Sequence, residues 1–329
     1  MKVVVTGGAG FIGSHLVERL VRDGHEVLVL DNLSTGNLDN LKSVSSQPNF
    51  NFVEMDVSDY ARVRDFFKGV DWVFHLAALA DIVPSIVEPY KYHHANVDTT
   101  VSVLEAARNC RVRRFIYSAS SSCYGIPDAY PTTEEAEVRP LYPYAFTKYI
   151  AERYCLFWGK VYKLPVVSLR LFNVYGPRQR TTGAYGAVLG VFLAQRLAGA
   201  PFTIVGDGQQ KRDFIYVTDV VEAMVRAAES QISLEVFNVG SGNPQSINYL
   251  ASLIDPSHPR INIPKRPGEP DCTWADIAKI KKMLGWLPAV PLEEGIKRVL
   301  VEIQWWKDAP VWTPEKIELA TKEWFTYLV

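Results

Sequence analysis

Residues 2–13 constrain the fold more than any other stretch of this chain. Lys2-Val3-Val4-Val5-Thr6 is a short β-forming run, and it feeds directly into Gly7, Gly10 and Gly13, spaced three apart. A dinucleotide pyrophosphate must lie almost against the backbone at a helix N-terminus. Only glycine permits that approach together with the positive dihedrals of the turn and close strand–helix packing. Phe11 and Ile12 sit in the same turn. Eighteen residues beyond Gly13, a second run, Glu26-Val27-Leu28-Val29-Leu30, ends on Asp31. A carboxylate there accepts the adenosine ribose hydroxyls of NAD and repels the 2′-phosphate of NADP. The following residues, Asn32-Leu33-Ser34-Thr35-Gly36, include no arginine to receive such a phosphate. NAD is therefore the expected cofactor.

The rest of the first half alternates strand and helix patterns. Residues 50–56 read as a third strand, with Asp56 and Val57 at its end placed to cap the adenine edge. Residues 71–78 form a fourth, almost wholly apolar, as a parallel sheet covered on both faces requires. A helix over 94–110, a strand over 114–118, a long helix from Pro143 to about residue 161 and a strand over 164–171 follow; proline suits a first helical turn. The pattern implies an α/β fold with a doubly wound parallel sheet of the Rossmann type. Past Asn173 turn residues cluster: Gly176-Pro177, Gly206-Asp207-Gly208, Gly240-Ser241-Gly242 and the prolines from Pro264 to Pro270. The expected division is a nucleotide-binding domain at 1–172, with 213–240 returning to it as a helix and a strand, and a smaller α/β lobe from 173–212 and 241–329. The aromatic-rich tail from Trp305 is expected to pack.

Composition narrows the function. A net charge of −1 without a Lys/Arg-rich run gives no case for nucleic acid. No apolar stretch approaches the ~20 residues needed to span a bilayer. Met1-Lys2 enters the first strand directly, so no signal peptide and a cytoplasmic location are expected. Cys110, Cys123, Cys155 and Cys272 form no Cys-x-x-Cys pair and read as reduced thiols. No zinc-type histidine spacing occurs and no metal is expected: His93 and His94 are adjacent, hence expected on different helix faces, and His75 reads as a core histidine.

Tyr144 and Lys148 stand four apart on the helix that Pro143 begins and so share a face. A free tyrosine, with pKa ~10, is a poor base at neutral pH. A nearby ammonium and a positive nicotinamide ring would favour the phenolate, and the lysine can also hold the nicotinamide ribose. Ser118-Ala119-Ser120-Ser121-Ser122-Cys123-Tyr124-Gly125 lies at the end of the fifth strand, where a hydroxyl can meet the same substrate oxygen as Tyr144.

With Thr6-Gly7-Gly8-Ala9-Gly10-Phe11-Ile12-Gly13, these motifs resemble the extended short-chain dehydrogenase/reductase family, and within it the NAD-dependent nucleotide-sugar epimerases and dehydratases. The resemblance covers about residues 1–300 and extends to Leu171-Phe172-Asn173-Val174-Tyr175-Gly176-Pro177, Lys211-Arg212-Asp213-Phe214-Ile215-Tyr216-Val217 and Arg266-Pro267-Gly268-Glu269. It implies Ser120, Tyr144 and Lys148 as the catalytic set. It adds Asn32, Ser34, Gly36, Leu76, Ala77, Ala78, Ala80, Asn96 and Ser118 to the cofactor site. On the substrate it implies Ser120, Ser122 and Asn173, with Arg212 and Arg266 clamping the diphosphate; guanidinium offers paired donors matched to phosphate oxygens. Related proteins commonly dimerise through the helices here at 94–110 and 144–161, so a homodimer is expected.

Dehydratases of this family carry Asp-Glu just after the catalytic hydroxyl, and the decarboxylating members usually carry a Glu near there. This chain has Ser121-Ser122, so elimination lacks its acid. An epimerase needs none. In the galactose-type 4-epimerases a bulky gate before the segment Trp274-Ala275-Asp276 excludes 2-N-acetyl sugars; here that position is Thr273. Residues 172–179 and Gly183-Ala184-Tyr185-Gly186-Ala187 also look like the UDP-N-acetylglucosamine 4-epimerases. The resemblance therefore implies a UDP-sugar 4-epimerase for N-acetyl sugars, with UDP-glucose and UDP-galactose as further candidate substrates. The alternatives are a uronate or other nucleotide-sugar epimerase, a net dehydrogenase or reductase, and, lowest, a non-catalytic NAD-binding protein. Asp81 departs from the small or basic residues found near the sugar; it would disfavour an anionic uronate or act as a helix N-cap.

Overall fold

The computed structural model describes residues 1–179 and 186–328; of the sequence signals above, Gly183-Ala184-Tyr185 fall outside them. Seven parallel strands form one sheet, in the order Glu235–Val239, Val166–Leu171, Arg114–Ser120, Trp72–His75, Lys2–Thr6, Glu26–Asp31, Phe50–Glu54. Both faces are covered, which explains the near-continuous apolar strands. Val3 and Val5 face the helices Phe11–Arg22 and Val217–Glu229, while Val4 faces Thr99–Asn109 and Pro143–Tyr162. Chain order reverses on either side of Lys2–Thr6, whose Thr6 pairs with Leu30 on one side and His75 on the other. Open α/β sheets bind ligands in the crevice beyond the strand ends at such a switch point.

Several boundaries differ from those expected. The fourth strand stops at His75, because Leu76–Ala80 leave the sheet and turn across the glycine loop. The fifth runs on to Ser120. The helix expected to open the returning segment at residue 213 begins only at Val217; Phe214–Tyr216 is a strand paired in parallel with Asn173–Tyr175. The helix expected from 94 opens with a π-turn, His94–Asp98, before Thr99–Asn109.

A second lobe has its own core around Phe192, Phe202, Ile204, Leu250, Ile296 and Trp306. Two small pairings shape it, Lys211–Arg212 antiparallel to Gln245–Ser246 and Phe202–Val205 parallel to Arg260–Ile263. The chain ends in the helix Pro314–Tyr327, which packs on the short helix Ile82–Val87. Among the described residues no helix is long and apolar enough to cross a membrane.

Candidate active site

A cavity of about 820 Å³ opens over the switch point and is walled by both lobes. The glycine loop forms its floor, and two of the three glycines are demanded by packing. Gly7 has φ +72°, and a Cβ there would stand 2.6 Å from the Ala77 nitrogen. At Gly13 a Cβ would collide with the Gly7 carbonyl oxygen. Gly10 meets only that oxygen, at 3.2 Å, and lines the cavity at the start of Phe11–Arg22. This bare backbone at a helix N-terminus is the cradle a pyrophosphate needs.

Asp31 lies on the rim, its Oδ2 accepting from the Ala9 N–H (2.9 Å) and its Oδ1 from the Leu33 N–H (2.8 Å). Burial pushes its carboxyl up, and the two N–H groups oppose this. Asn32, Ser34, Asp56 and Val57 line the same end. Burial pushes Asp56 up too, but the backbone and hydroxyl of Ser58, then Asn32 and His94, outweigh it and hold the carboxyl below its usual range. Leu76, Ala77, Ala78, Ala80 and Ser118 line the cavity, with Phe11 and Ile12 beside them. The glycine cradle and the rim carboxylate fit NAD.

Two residues expected at the cofactor are not on this wall. Asn96 is 1% exposed, and its amide clasps the backbone of Leu79 (Oδ1 from N–H, 2.8 Å; Nδ2 to O, 3.1 Å) and the Thr147 hydroxyl (3.0 Å). It fixes the loop behind the cavity. Gly36 sits under Asp31: a Cβ there would press on the carboxylate at 2.9 Å.

Hydroxyls cluster at the foot of the cavity. Ser120 Oγ lies 2.7 Å from Ser122 Oγ, and all of Ser120, Ser122, Tyr142 and Tyr144 line the cavity there. The rings of Tyr142 and Tyr144 stack, centroids 6.5 Å apart and 6° from parallel. Lys148 is buried, its Nζ 4.5 Å above the Tyr117 ring. Burial lowers its pKa to about 8, while Cys155 and Glu152 pull the other way. Lys148, expected to draw Tyr144 toward the phenolate together with the nicotinamide ring, is not among the groups that shift Tyr144 here. Burial dominates and raises the Tyr144 pKa; Ser120 opposes this and the Asp81 charge adds to it. Asp81 starts the helix Ile82–Val87 without capping it through its side chain, and lines the cavity instead.

The second lobe supplies the opposite wall. Arg212 is buried, with Nη2 2.7 Å from Glu269 Oε1 and Nη1 donating to the carbonyls of Lys211 and Pro270 at 2.9 Å each. Arg266 approaches the other Glu269 oxygen at 3.5 Å, so one carboxylate aligns both guanidinium groups. Thr273 is half-buried, donating to Asn173 Oδ1 (2.8 Å) and accepting from the Asp213 N–H (3.0 Å). Both Thr273 and Asn173 line the cavity. Sequence reading missed Tyr142, Gln210, Glu269 and Trp324 as wall residues. Glu269 was legible within the Arg266 motif; Trp324, in the tail, had no local signal.

His75 is fully buried between the hydroxyls of Thr6 (2.7 Å) and Thr100 (2.9 Å), and burial lowers its pKa to about 3. His93 and His94, expected on different faces, both reach Asp98, at 3.6 and 3.0 Å, because the helix winds as a π-turn there. Among the described residues no three His, Cys, Asp or Glu side chains group to hold a metal.

A glycine cradle at the switch point of a parallel sheet, with a tyrosine–lysine–serine set beneath a basic second wall, defines a nicotinamide-nucleotide enzyme of the Rossmann class. Residues 3–240 match the model of the NAD dependent epimerase/dehydratase family, and the chain belongs to that family. The UDP-glucose 4-epimerase of Mycolicibacterium smegmatis is 39% identical over 308 residues, 91% of this chain and 97% of that protein. The UDP-N-acetylglucosamine 4-epimerase of Methanobrevibacter ruminantium M1, solved with UDP-N-acetylmuramic acid, is 36% identical with a TM-score of 0.86, covering 92% of this chain and 98% of that one. The UDP-glucuronic acid 4-epimerase of Bacillus cereus, solved with UDP-glucuronic acid and NAD, is 32% identical with a TM-score of 0.85, covering 92% and 99%. The protein is an NAD-dependent enzyme.

Proposed function

We propose that this enzyme is a UDP-sugar 4-epimerase that interconverts UDP-N-acetylglucosamine and UDP-N-acetylgalactosamine and also accepts UDP-glucose and UDP-galactose. The observation that carries the reaction type is the hydroxyl cluster of Tyr144, Ser120, Ser122 and Tyr142 on the cavity wall, with no carboxylate at positions 121 and 122 to expel water. Tyr144 takes the proton of the sugar O4 and later returns it, and Ser120 shares that hydrogen bond. NAD, when bound, would supply a reversible hydride acceptor for C4 and a positive ring that would offset the burial of the Tyr144 phenolate. Lys148 holds the nicotinamide ribose. Arg212 and Arg266 receive the diphosphate, and Asn173 lies beside it.

Two observations support the sugar. Thr273 is small, and its hydroxyl is tied back to Asn173, leaving volume for an N-acetyl group. Asp81 shares the cavity wall with Tyr144 and its charge raises the tyrosine pKa, so a uronate carboxylate, borne on the carbon next to the reacting C4, would meet like charge. We also infer a homodimer: Phe146, Phe157 and Val161 on the helix Pro143–Tyr162 are 55%, 54% and 47% exposed.

The test is incubation with UDP-N-acetylglucosamine, UDP-glucose and UDP-glucuronate, with separation of the 4-epimers by chromatography. The first two should be converted. Tyr144→Phe keeps the ring and removes the ionisable hydroxyl, so turnover should fall about 10⁴-fold with UDP binding retained. Near-normal turnover in that variant would sink the acid–base assignment.

A further inference from the structure

The C-terminal helix Pro314–Tyr327 lies beyond the 3–240 stretch that carries the family match, yet it reaches the cavity. The residue that does so is Trp324, 3% exposed. Its contacts run in two directions. Nε1 donates to the Pro267 carbonyl at 2.7 Å, and the Arg266 guanidinium carbon stands 5.6 Å over the ring centroid. On the other side the indole meets the Tyr142 ring at 6.0 Å, and Tyr142 stacks on Tyr144. The indole therefore joins the turn bearing Arg266, in the second lobe, to the tyrosine pair above the first. Its helix rests on Ile82–Val87, the helix that follows Asp81.

We propose that Trp324 is a positioning residue of the substrate site: it fixes Arg266 for the diphosphate and buttresses Tyr142 behind the reacting sugar, so that the last helix completes the active site. This rests on the reading of Arg266 as a diphosphate ligand. Glu269 stands 3.5 Å from Arg266 and engages Arg212 at 2.7 Å. The indole face and the Pro267 anchor add a contact to Arg266 and to the turn that carries it. Arginine over an aromatic face gains a modest attraction that grows when water is excluded, and a ring with two χ angles loses little entropy in holding it.

The experiment uses the full-length, NAD-loaded protein and measures the affinity of UDP and the KM and kcat for UDP-glucose. Trp324→Leu should weaken UDP about tenfold, from loss of one cation–π contact and one hydrogen bond. KM should rise in step, and NAD affinity should be unchanged. Trp324→Phe keeps a ring for Arg266 but loses the Pro267 bond; it should fall between wild type and Leu, and it carries the test if the Leu variant does not fold. Arg266→Ala and the double variant Arg266→Ala/Trp324→Leu complete a cycle. If Trp324 acts on UDP through Arg266, the double variant binds UDP no worse than Arg266→Ala alone. Unchanged UDP affinity in both Trp324 variants, or additive losses in the cycle, would overturn the proposal. An Arg266→Ala variant that binds UDP normally would instead overturn the diphosphate assignment.

Discussion

Single side chains here are set against their usual chemistry by burial, and His75 is the clearest case. Held between two threonine hydroxyls, it stays neutral until about pH 3, whereas an unfolded histidine takes a proton near 6.5. Between those values the unfolded state binds the extra proton, so stability rises with pH. The contribution is present above about 6.5 and is lost as pH falls toward 3, with a ceiling of about 5 kcal/mol. His75→Gln can still bond both threonines and carries no proton. Its unfolding free energy, measured from pH 7 to 4, should fall less steeply than that of wild type; parallel curves would show that His75 does not titrate on unfolding. Thr273 is set by a hydrogen bond rather than by burial. Thr273→Tyr should lower kcat/KM for the N-acetyl pair by about 10- to 100-fold relative to the glucose–galactose pair, because an added ring in a packed pocket costs ~1–3 kcal/mol. Thr273→Val keeps the volume and loses the bond to Asn173, so it should affect both pairs alike. A ratio unmoved by tyrosine would remove the gate.

The helix Pro143–Tyr162 carries the chemistry on one face and is anchored from beneath. One turn beyond Lys148, Glu152 accepts from Arg170 Nη2 (2.7 Å) and Nε (3.0 Å) and from the Ser168 hydroxyl (3.0 Å), all buried in the sheet. Glu152 also favours the Lys148 ammonium against desolvation. Glu152→Gln would leave Arg170 buried without its counter-charge, a loss of about 3–5 kcal/mol by denaturation. In the folded variant the alkaline limb of the pH–rate profile should move to lower pH, because Lys148 falls further below about 8. A destabilised variant with an unmoved limb would confine Glu152 to structure. This helix was legible in the sequence because Pro143 marks its start and Tyr144 and Lys148 its face. Other elements were not. Leu76-Ala77-Ala78 read as strand because they are apolar, yet they are apolar as cavity wall. Phe214-Ile215-Tyr216 read as helix, and only its pairing with Asn173–Tyr175, about forty residues earlier, makes it a strand. Asn96 fell on the expected ligand segment, but its amide had nearer partners in Leu79 and Thr147. The role of Trp324 depends on a contact with residues 266 and 267, which no local pattern announces.

At the scale of the whole molecule, the cavity joins two lobes while the catalytic helix presents its far side to solvent. Phe146, Tyr154, Phe157 and Val161 recur at three- to eight-residue intervals there, each at least 38% exposed. That spacing makes an apolar stripe along one helix face. The neighbouring helix Thr99–Asn109 frames it, with Arg108 over the Tyr162 ring at 4.3 Å and Glu105 accepting from Trp158 Nε1 at 3.3 Å. A two-fold axis across this face would bring two helices from each copy together, and a self-complementary surface of this kind is how most soluble dimers close. A stable interface needs roughly 1,200–2,000 Å² of buried surface, which two such helices per copy can supply. Wild type should therefore sediment at twice the 37.0 kDa chain mass at micromolar concentration. Phe157→Glu places two charges at the axis and should give monomers. Tyr144 and Lys148 lie on the opposite side of the same helix, so the monomer should retain NAD and UDP binding while losing thermal stability. A wild type that sediments as a monomer would end the dimer proposal. A Phe157→Glu variant that stays dimeric would place the interface on another face.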